Sequence, residues 1–180
     1  MAIILVGGGG RGVGKTALVC GLMRALPEIP WTAVKITMDE HGKAAPIWEE
    51  TVPGQETDTA RYLAAGARRA LLVTASESAL GPVVEQILKE ISPPAGVIFE
   101  SDSALRRLRP DICLCAASSP WARLKPSYDL ALESVDAMVE LAGHDHIIEA
   151  GKITFRLASL ERVSPTMQEW LRERLGDRIA

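Results

Sequence analysis

Residues 9–16 constrain the fold of this 180-residue chain more narrowly than any other segment. They read Gly-Gly-Arg-Gly-Val-Gly-Lys-Thr and match the pattern G-x-x-x-x-G-K-T without a mismatch. An apolar, β-branched run at residues 2–6 precedes the motif, and residues 15–26 carry apolar side chains at helical spacing. The sequence therefore predicts a buried parallel strand, a glycine-rich turn and a helix in immediate succession.

The residue types of this turn suit the binding of phosphate groups. Glycines let successive backbone N–H groups turn inward without a Cβ clash, and the following helix points its N-terminus at the anion. We expect Lys15 to reach the β- and γ-phosphates of a nucleoside triphosphate and Thr16 to bind Mg²⁺. The predicted nucleotide-binding residues of this segment are Gly9, Gly10, Arg11, Gly12, Val13, Gly14, Lys15, Thr16 and Ala17. A turn that only packs a helix on a strand is the alternative, and Arg11 fits a solvated loop residue equally well.

Strands and helices alternate along the rest of the sequence. Apolar runs predict strands at 31–36, 70–74, 97–100 and 112–116. Helical spacing and turn residues predict helices at 56–65, 80–91, 101–108 and 127–141, and leave 37–55 without a clear period. A C-terminal hairpin plus helix follows within residues 145–180. This order predicts one α/β domain over residues 1–180, with three layers and a mostly parallel sheet flanked by helices.

Composition argues against several classes of partner. Lys plus Arg number 20 and Asp plus Glu 23, a net charge of -3, and aromatic residues make up 4%. That balance does not favour binding to nucleic acid, and no apolar stretch is long enough to predict a membrane span. The N-terminus lacks the basic start of a signal peptide, and the three cysteines are an odd number, so we expect a cytoplasmic protein.

The segment 52–67 resembles molybdopterin-guanine dinucleotide biosynthesis protein B. That family carries Pro-Gly, then Lys-Asp-Ser/Thr, an Arg and Ala-Gly-Ala before its third strand. The matching residues here are Pro53-Gly54, Asp58-Thr59, Arg61 and Ala65-Gly66-Ala67. Similar pieces are Val34-Lys35, Asp39-Glu40-His41 and Val97-Ile98-Phe99-Glu100.

The resemblance covers residues 2–116 and has clear departures. The family's Glu-Gly-Phe is Glu100-Ser101-Asp102 here, and its paired histidines are reduced to His41. The wider resemblance is to the P-loop class that includes dethiobiotin synthetase, ParA-type ATPases and nickel-insertion GTPases, although Gly10 stands where the ParA branch has its signature lysine. The narrower resemblance implies a P-loop NTPase domain that binds nucleotide as a homodimer and assists a cofactor synthase.

Four carboxylates are the candidate catalytic or metal residues. Asp58 begins a helix after the aperiodic stretch, where it either orients a water or a Mg²⁺-bound water, or favours the helix dipole as a first-turn acid. Asp39, with Glu40 beside it, follows the second strand and is either a metal ligand or a solvated loop residue. Glu100 ends an apolar strand, where P-loop proteins place a metal-orienting carboxylate.

The remaining candidates concern thiols and the base. Cys113 and Cys115 lie on one face of a predicted strand, where buried core thiols are the better interpretation than a metal pair without further ligands. Trp121 either stacks on the nucleotide base or fills the edge of the domain. No N-K-x-D signature is present, so ATP and GTP both remain open.

The leading hypothesis is therefore a Mg²⁺-dependent ATPase or GTPase acting in molybdenum-cofactor biosynthesis. A phosphotransferase or ligase of the dethiobiotin-synthetase type is the alternative, in which residues 37–56 would cover a small-molecule substrate. A regulatory switch with slow hydrolysis is the third hypothesis.

Overall fold

The computed structural model describes residues 1–8, 10, 12–39, 46–117, 134–142, 145–149 and 152–178. Nine strands in these ranges form one sheet. They are β1 (Ala2–Gly8), β2 (Trp31–Met38), β3 (Ile47–Glu50), β4 (Arg69–Ala75), β5 (Gly96–Glu100), β6 (Ile112–Ala117), β7 (Ala137–Leu141), β8 (Asp145–Glu149) and β9 (Lys152–Leu157). The strand order is β3-β4-β2-β5-β1-β6-β7-β9-β8.

The seven inner strands of the sheet run parallel, and only the two outer strands are antiparallel to their neighbours. β3 pairs antiparallel with β4 at one edge, and β8 pairs antiparallel with β9 at the other. Parallel neighbours end at the same edge of a sheet, so the carboxyl ends of β1, β2 and β5 come together. In that register Lys35 of β2 stands beside Glu100 of β5, and Glu100 stands beside Val6 of β1.

Helices cover both faces of the sheet. They are α1 (Lys15–Ala25), α2 (Asp58–Ala64), α3 (Glu77–Glu90) and α4 (Pro165–Leu175). The helices α1, α2 and α4 pack on one face together with Ile4 and Val6, and α3 packs on the other face together with Leu5. Alternate residues of β1 thus enter different cores, which is why the central strands are apolar throughout. The predicted three-layer α/β class with a mostly parallel sheet is confirmed.

Two predicted elements differ from the structure, and one strand, β3, was not predicted. Ala137–Leu141, expected at the end of a helix, is strand β7, buried between β6 and β9. A short apolar run has the same appearance in a buried strand and a buried helix, and the start of that predicted helix lies outside the described residues. The four residues of β3 are too few to show a period within 37–55. The helix expected at 101–108 is a single 3₁₀ turn, Ala104–Arg106.

The C-terminal residues complete the sheet and one helical layer. The hairpin of β8 and β9 pairs through β7 with the rest of the sheet. Ser164 caps α4 by accepting the N–H of Met167 at 3.2 Å, and Pro165 occupies the first turn. The rings of Phe155 and Trp170 meet edge to face, with centroids 5.4 Å apart, and so pack α4 against β9. None of the helices described is both long and apolar enough to cross a membrane.

Candidate functional site

A cleft of about 660 Å³ opens where β1, β2 and β5 end. Four pieces of chain line it: residues 12–17 at the start of α1, residues 35–38 of β2, residues 100–103 after β5, and Asp58 with Arg61 on α2. This place, at the carboxyl ends of parallel strands, is where open α/β sheets bind ligands. We call it the phosphate-loop cleft, after residues 9–16.

Two glycines, Gly14 within the loop and Gly8 at the end of β1, are required by the backbone or by packing. Gly14 has φ of 91°, in the left-handed region, and a Cβ placed on it would lie 2.2 Å from Cδ1 of Leu160. A Cβ on Gly8 would lie 2.7 Å from Cγ2 of Val13. Gly14 is the N-cap of α1 and supplies no side-chain hydrogen bond to the helix N-terminus. The loop therefore brings the uncapped start of α1 directly to the cleft.

Lys15 is held by two oxygens at the mouth of the loop. Its Nζ donates to the carbonyl oxygen of Gly10 at 2.9 Å and pairs with Oδ2 of Asp102, also at 2.9 Å. The other carboxylate oxygen of Asp102 accepts the backbone N–H of Gly8 at 3.0 Å. Asp102 thus links the end of β1 to the loop lysine. Sequence reasoning noted Asp102 only as a departure from the family's Glu-Gly-Phe and missed this contact.

Thr16 and Glu100 form the buried floor of the cleft. The Thr16 hydroxyl donates to Oε2 of Glu100 at 2.8 Å, and Glu100 is only 4% exposed. The Tyr62 hydroxyl donates to the same oxygen, and Lys35 Nζ donates to the other at 2.7 Å. Burial and the neighbouring Glu100 charge raise the pKa of Tyr62 well above its ordinary value, so Tyr62 stays a protonated donor. The buried carboxylate therefore has three donors.

Lys35 also reaches Asp58 and so bridges two carboxylates. Its Nζ lies 2.5 Å from Oδ2 of Asp58, and Arg61 Nη1 lies 3.9 Å from Oδ1. Burial by itself would raise the pKa of Asp58, but the hydrogen bond and charge of Lys35, with help from Thr16, bring it below its ordinary value. Burial would lower the pKa of Lys35, and its hydrogen bonds to Asp58 and Glu100 outweigh that effect and raise it. Both groups of the pair are charged at neutral pH.

The structure brings most of the predicted site residues together. Those that line the cleft are Gly12, Val13, Gly14, Lys15, Thr16, Ala17, Asp58 and Glu100. Asp58 lies in the first turn of α2, as expected, but the capping hydroxyl is that of Thr57, which accepts the N–H of Ala60. Asp39 does not line the cleft, and its backbone N–H continues the pairing of β2 with β4 by donating to Ala75. Gly9, Arg11, Glu40 and Trp121 lie outside the described residues.

Tyr62 is a site residue that sequence reasoning missed, and Lys35 was noted only as part of the family resemblance. Lys35 carried a usable signal, because it is a charged side chain within an apolar strand that ends at the same edge as β5. Tyr62 carried none, since an aromatic residue on the inner face of a helix is usually only core. Its hydroxyl belongs to the site because it donates a hydrogen bond to Glu100, a contact that the tertiary structure creates.

The cysteines belong to the core. Cys113 and Cys115 of β6 are both buried in the core beside α3, as predicted. Burial raises the pKa of Cys115 and of Cys20 to about 11, so these thiols stay protonated at neutral pH. Within the described ranges, no group of three or more His, Cys, Asp or Glu side chains is arranged to hold a metal ion.

Comparison with known proteins identifies a solved structure of similar fold. No protein-family model and no curated protein matches the sequence. The crystal structure of Bacillus subtilis MobB has a TM-score of 0.50 with this chain at 15% sequence identity, over 98% of this chain and 99% of that one. At that identity the likeness concerns the fold, and it includes the C-terminal residues that the sequence resemblance did not reach. The chain therefore has a MobB-like α/β fold, as the resemblance of residues 2–116 predicted.

Proposed function

We propose that this protein binds a nucleoside triphosphate together with Mg²⁺ and hydrolyses it. The observation that carries the proposal is the arrangement of Lys15 and Thr16 in the first turn of α1. Lys15 presents an ammonium group to the cleft and is held by Asp102, just after β5. Thr16 presents a hydroxyl to the same cleft and is held by Glu100, the last residue of β5. A glycine-rich loop followed by an uncapped helix start is the usual protein solution for binding a polyphosphate.

Phosphate binding would replace the ion pair between Lys15 and Asp102. Asp102, which holds Lys15, has a side chain 44% exposed, so its ion pair contributes little to stability and exchanges readily. A triphosphate would replace the Asp102 carboxylate on Lys15 and add the amides at the start of α1. The nucleotide would thus take over an anion position that the chain fills with its own carboxylate.

The residues at the floor of the cleft fit Mg²⁺. The Thr16 hydroxyl and the Glu100 carboxylate are hard oxygen donors 2.8 Å apart, and Mg²⁺ binds few such protein groups beside waters and phosphate oxygens. When bound, the ion would neutralise charge on the β- and γ-phosphates. Thr16 and Glu100 would hold it. Asp58, which lines the cleft, is a better candidate than Asp39 for a further carboxylate.

Asp58 is the proposed residue for orienting the attacking water. Its lowered pKa keeps it ionised at neutral pH, which makes it a weak base but a strong hydrogen-bond acceptor. Lys35 and Arg61 fix the carboxylate from two sides. Positioning of the water, with Lys15 and Mg²⁺ stabilising the charge, is the usual basis of catalysis in nucleotide hydrolysis.

The MobB-like fold supports a place in molybdenum-cofactor biosynthesis. There the protein would act in the cytoplasm as a homodimer that assists a cofactor synthase. Phosphate release from ATP and from GTP, with Mg²⁺ or with EDTA and without any further substrate, tests the hydrolase proposal. Mg²⁺-dependent release from either nucleotide supports it. Binding of nucleotide without release would contradict hydrolysis and favour a transferase that requires a second substrate.

A further inference from the structure

A second cleft, larger than the first, lies where β9 ends and α4 begins. Its volume is about 1050 Å³, and residues 156–159 and 161–166 line it together with Arg24 from α1. Strand β9 is parallel to β7, which is parallel to β6, so it ends at the same edge of the sheet as the phosphate loop. The chain after β9 packs closely on α1 at Gly21. A Cβ placed on Gly21 would lie only 2.3 Å from the carbonyl oxygen of Leu160. We call this second site the arginine cleft.

The charge of the arginine cleft is positive. Three arginines line it, Arg24, Arg156 and Arg162, against the single acid Glu161. Arg24 pairs with Glu161 at 3.0 Å, whereas exposed Arg162 has no ion pair among the residues that the structure describes. The cleft therefore offers a guanidinium group that this part of the chain does not neutralise.

The side chain of Arg156 lies on the other face of the sheet from α1 and α4. Its neighbours in β9, Phe155 and Leu157, pack into the core with those helices, and side chains alternate along a strand. Arg156 Nε accordingly lies 3.7 Å from Oε2 of buried Glu140 in β7. The guanidinium groups that the cleft offers to a ligand are therefore those of Arg24 and Arg162, and Ser159 and Thr166 line the cleft beside them.

We propose that the arginine cleft binds a small molecule bearing phosphate or carboxylate groups, separate from the nucleotide. Guanidinium groups recognise both anions through paired N–H donors. The volume suits a small organic molecule rather than a single ion. The proposal does not depend on nucleotide binding, since no residue that lines this cleft lines the other.

One chain of ion pairs connects the two clefts. Glu161, on the arginine cleft, pairs with Arg24 and also with Arg61 at 3.2 Å, and Arg61 pairs with Asp58 on the phosphate-loop cleft. An anion that binds Arg24 would compete with Glu161 for it. The ligand would thereby act on the acid that holds Arg61, without touching the nucleotide.

The test uses inorganic pyrophosphate as probe and the full chain carrying Lys15→Ala, which weakens the phosphate loop. Isothermal titration calorimetry gives the affinity, and amide chemical shifts at residues 159–166 locate the binding. We expect saturable binding that Arg162→Glu weakens about tenfold or more and that Arg162→Gln weakens less. Arg109→Glu is the matched control, because it makes the same charge change at an exposed arginine on a different cleft, where Asp111 and Asp136 lie nearby.

Each other outcome overturns the proposal. Absence of saturable binding in the Lys15→Ala protein, or equal affinity with and without Arg162→Glu, would show that the cleft binds no such anion. Equal weakening by Arg162→Glu and Arg109→Glu would mean that only the net charge of the protein matters. Thermal melting of each variant establishes that the fold is kept, and Arg162→Gln serves if the charge reversal prevents folding.

Discussion

Lys15 and Asp102 form an ion pair across the phosphate loop, with 2.9 Å between Nζ and Oδ2. The same carboxylate accepts the N–H of Gly8, so it engages two donors at the mouth of the cleft. A nucleotide that uses Lys15 must displace this carboxylate and is repelled by it. Asp102 therefore opposes nucleotide binding in this account.

Asp102→Asn is expected to raise nucleotide affinity several-fold. The amide keeps an acceptor for Gly8 but removes the negative charge that competes for Lys15. The dissociation constant for ATP and GTP, measured by calorimetry with Mg²⁺, checks this. Asp177→Asn, the same change in the 3₁₀ turn Gly176–Arg178, is the control. An affinity that is unchanged or weaker would mean that Asp102 positions Lys15 for binding instead of opposing it.

Thr16→Ala is expected to reduce nucleotide binding much more in Mg²⁺ than in EDTA. The substitution removes the hydroxyl that would hold the ion and leaves Lys15 and the loop amides in place. Titration of nucleotide under both conditions measures the two losses. If they are equal, Thr16 serves the packing of α1 and of Glu100 rather than metal binding.

Asp58→Asn is expected to keep nucleotide affinity within a few-fold and to slow hydrolysis by about 10²-fold or more, because the amide lacks the charge with which the carboxylate would hold the attacking water. The measurement is single-turnover hydrolysis with enzyme in excess, which separates chemistry from product release. Glu56→Gln is a matched control on an exposed acid two residues earlier. An unchanged single-turnover rate would leave Asp58 as a first-turn acid paired with Lys35.

Lys35→Met is expected to lower the free energy of unfolding by about 3 kcal/mol, because it leaves buried Glu100 without its ammonium partner. Chemical denaturation measures the loss, with exposed Lys89→Met as control. A loss no larger than that of the control would contradict the role given to Lys35.

The same variant also changes the dependence of stability on pH. In the wild type the pKa of Asp58 is below its ordinary value, so its ionisation stabilises the fold above the ordinary value of about 3.9. That contribution is lost as the pH falls through the lowered value. Lys35→Met removes the main cause of the lowering, so stability should fall less as the pH drops below that ordinary value. An unchanged slope would mean that Lys35 does not set the pKa of Asp58.

The sequence predicted those parts of the fold whose cause is local. The glycines, Lys15 and Thr16 stand in one short segment, and the apolar runs of β1, β2, β4, β5 and β6 are bounded by turn residues. The hairpin of β8 and β9 and the helix cap at Ser164 were likewise predictable, because each depends on residues close together in the sequence. These features need no knowledge of the tertiary structure.

The contacts that sequence could not reveal join residues far apart along the chain. Glu100 meets Thr16, Lys35 and Tyr62 only because β5 lies between β1 and β2 in the sheet. Strand β7 was missed for a related reason, since its apolar residues become a strand through pairing with β6 and β9. Strand order, rather than local pattern, decides both.

Nucleotide binding by the Lys15→Ala protein tests the central claim most directly. Calorimetric titration with ATP and GTP in Mg²⁺ is compared between the wild type and Lys15→Ala, with thermal melting in the absence of nucleotide to establish that both are folded. We predict that the wild type binds at least one of the two nucleotides and that Lys15→Ala loses this binding, because Lys15 supplies the charge that holds the phosphates. Equal affinity of both proteins, or failure of the folded wild type to bind either nucleotide, would contradict the account.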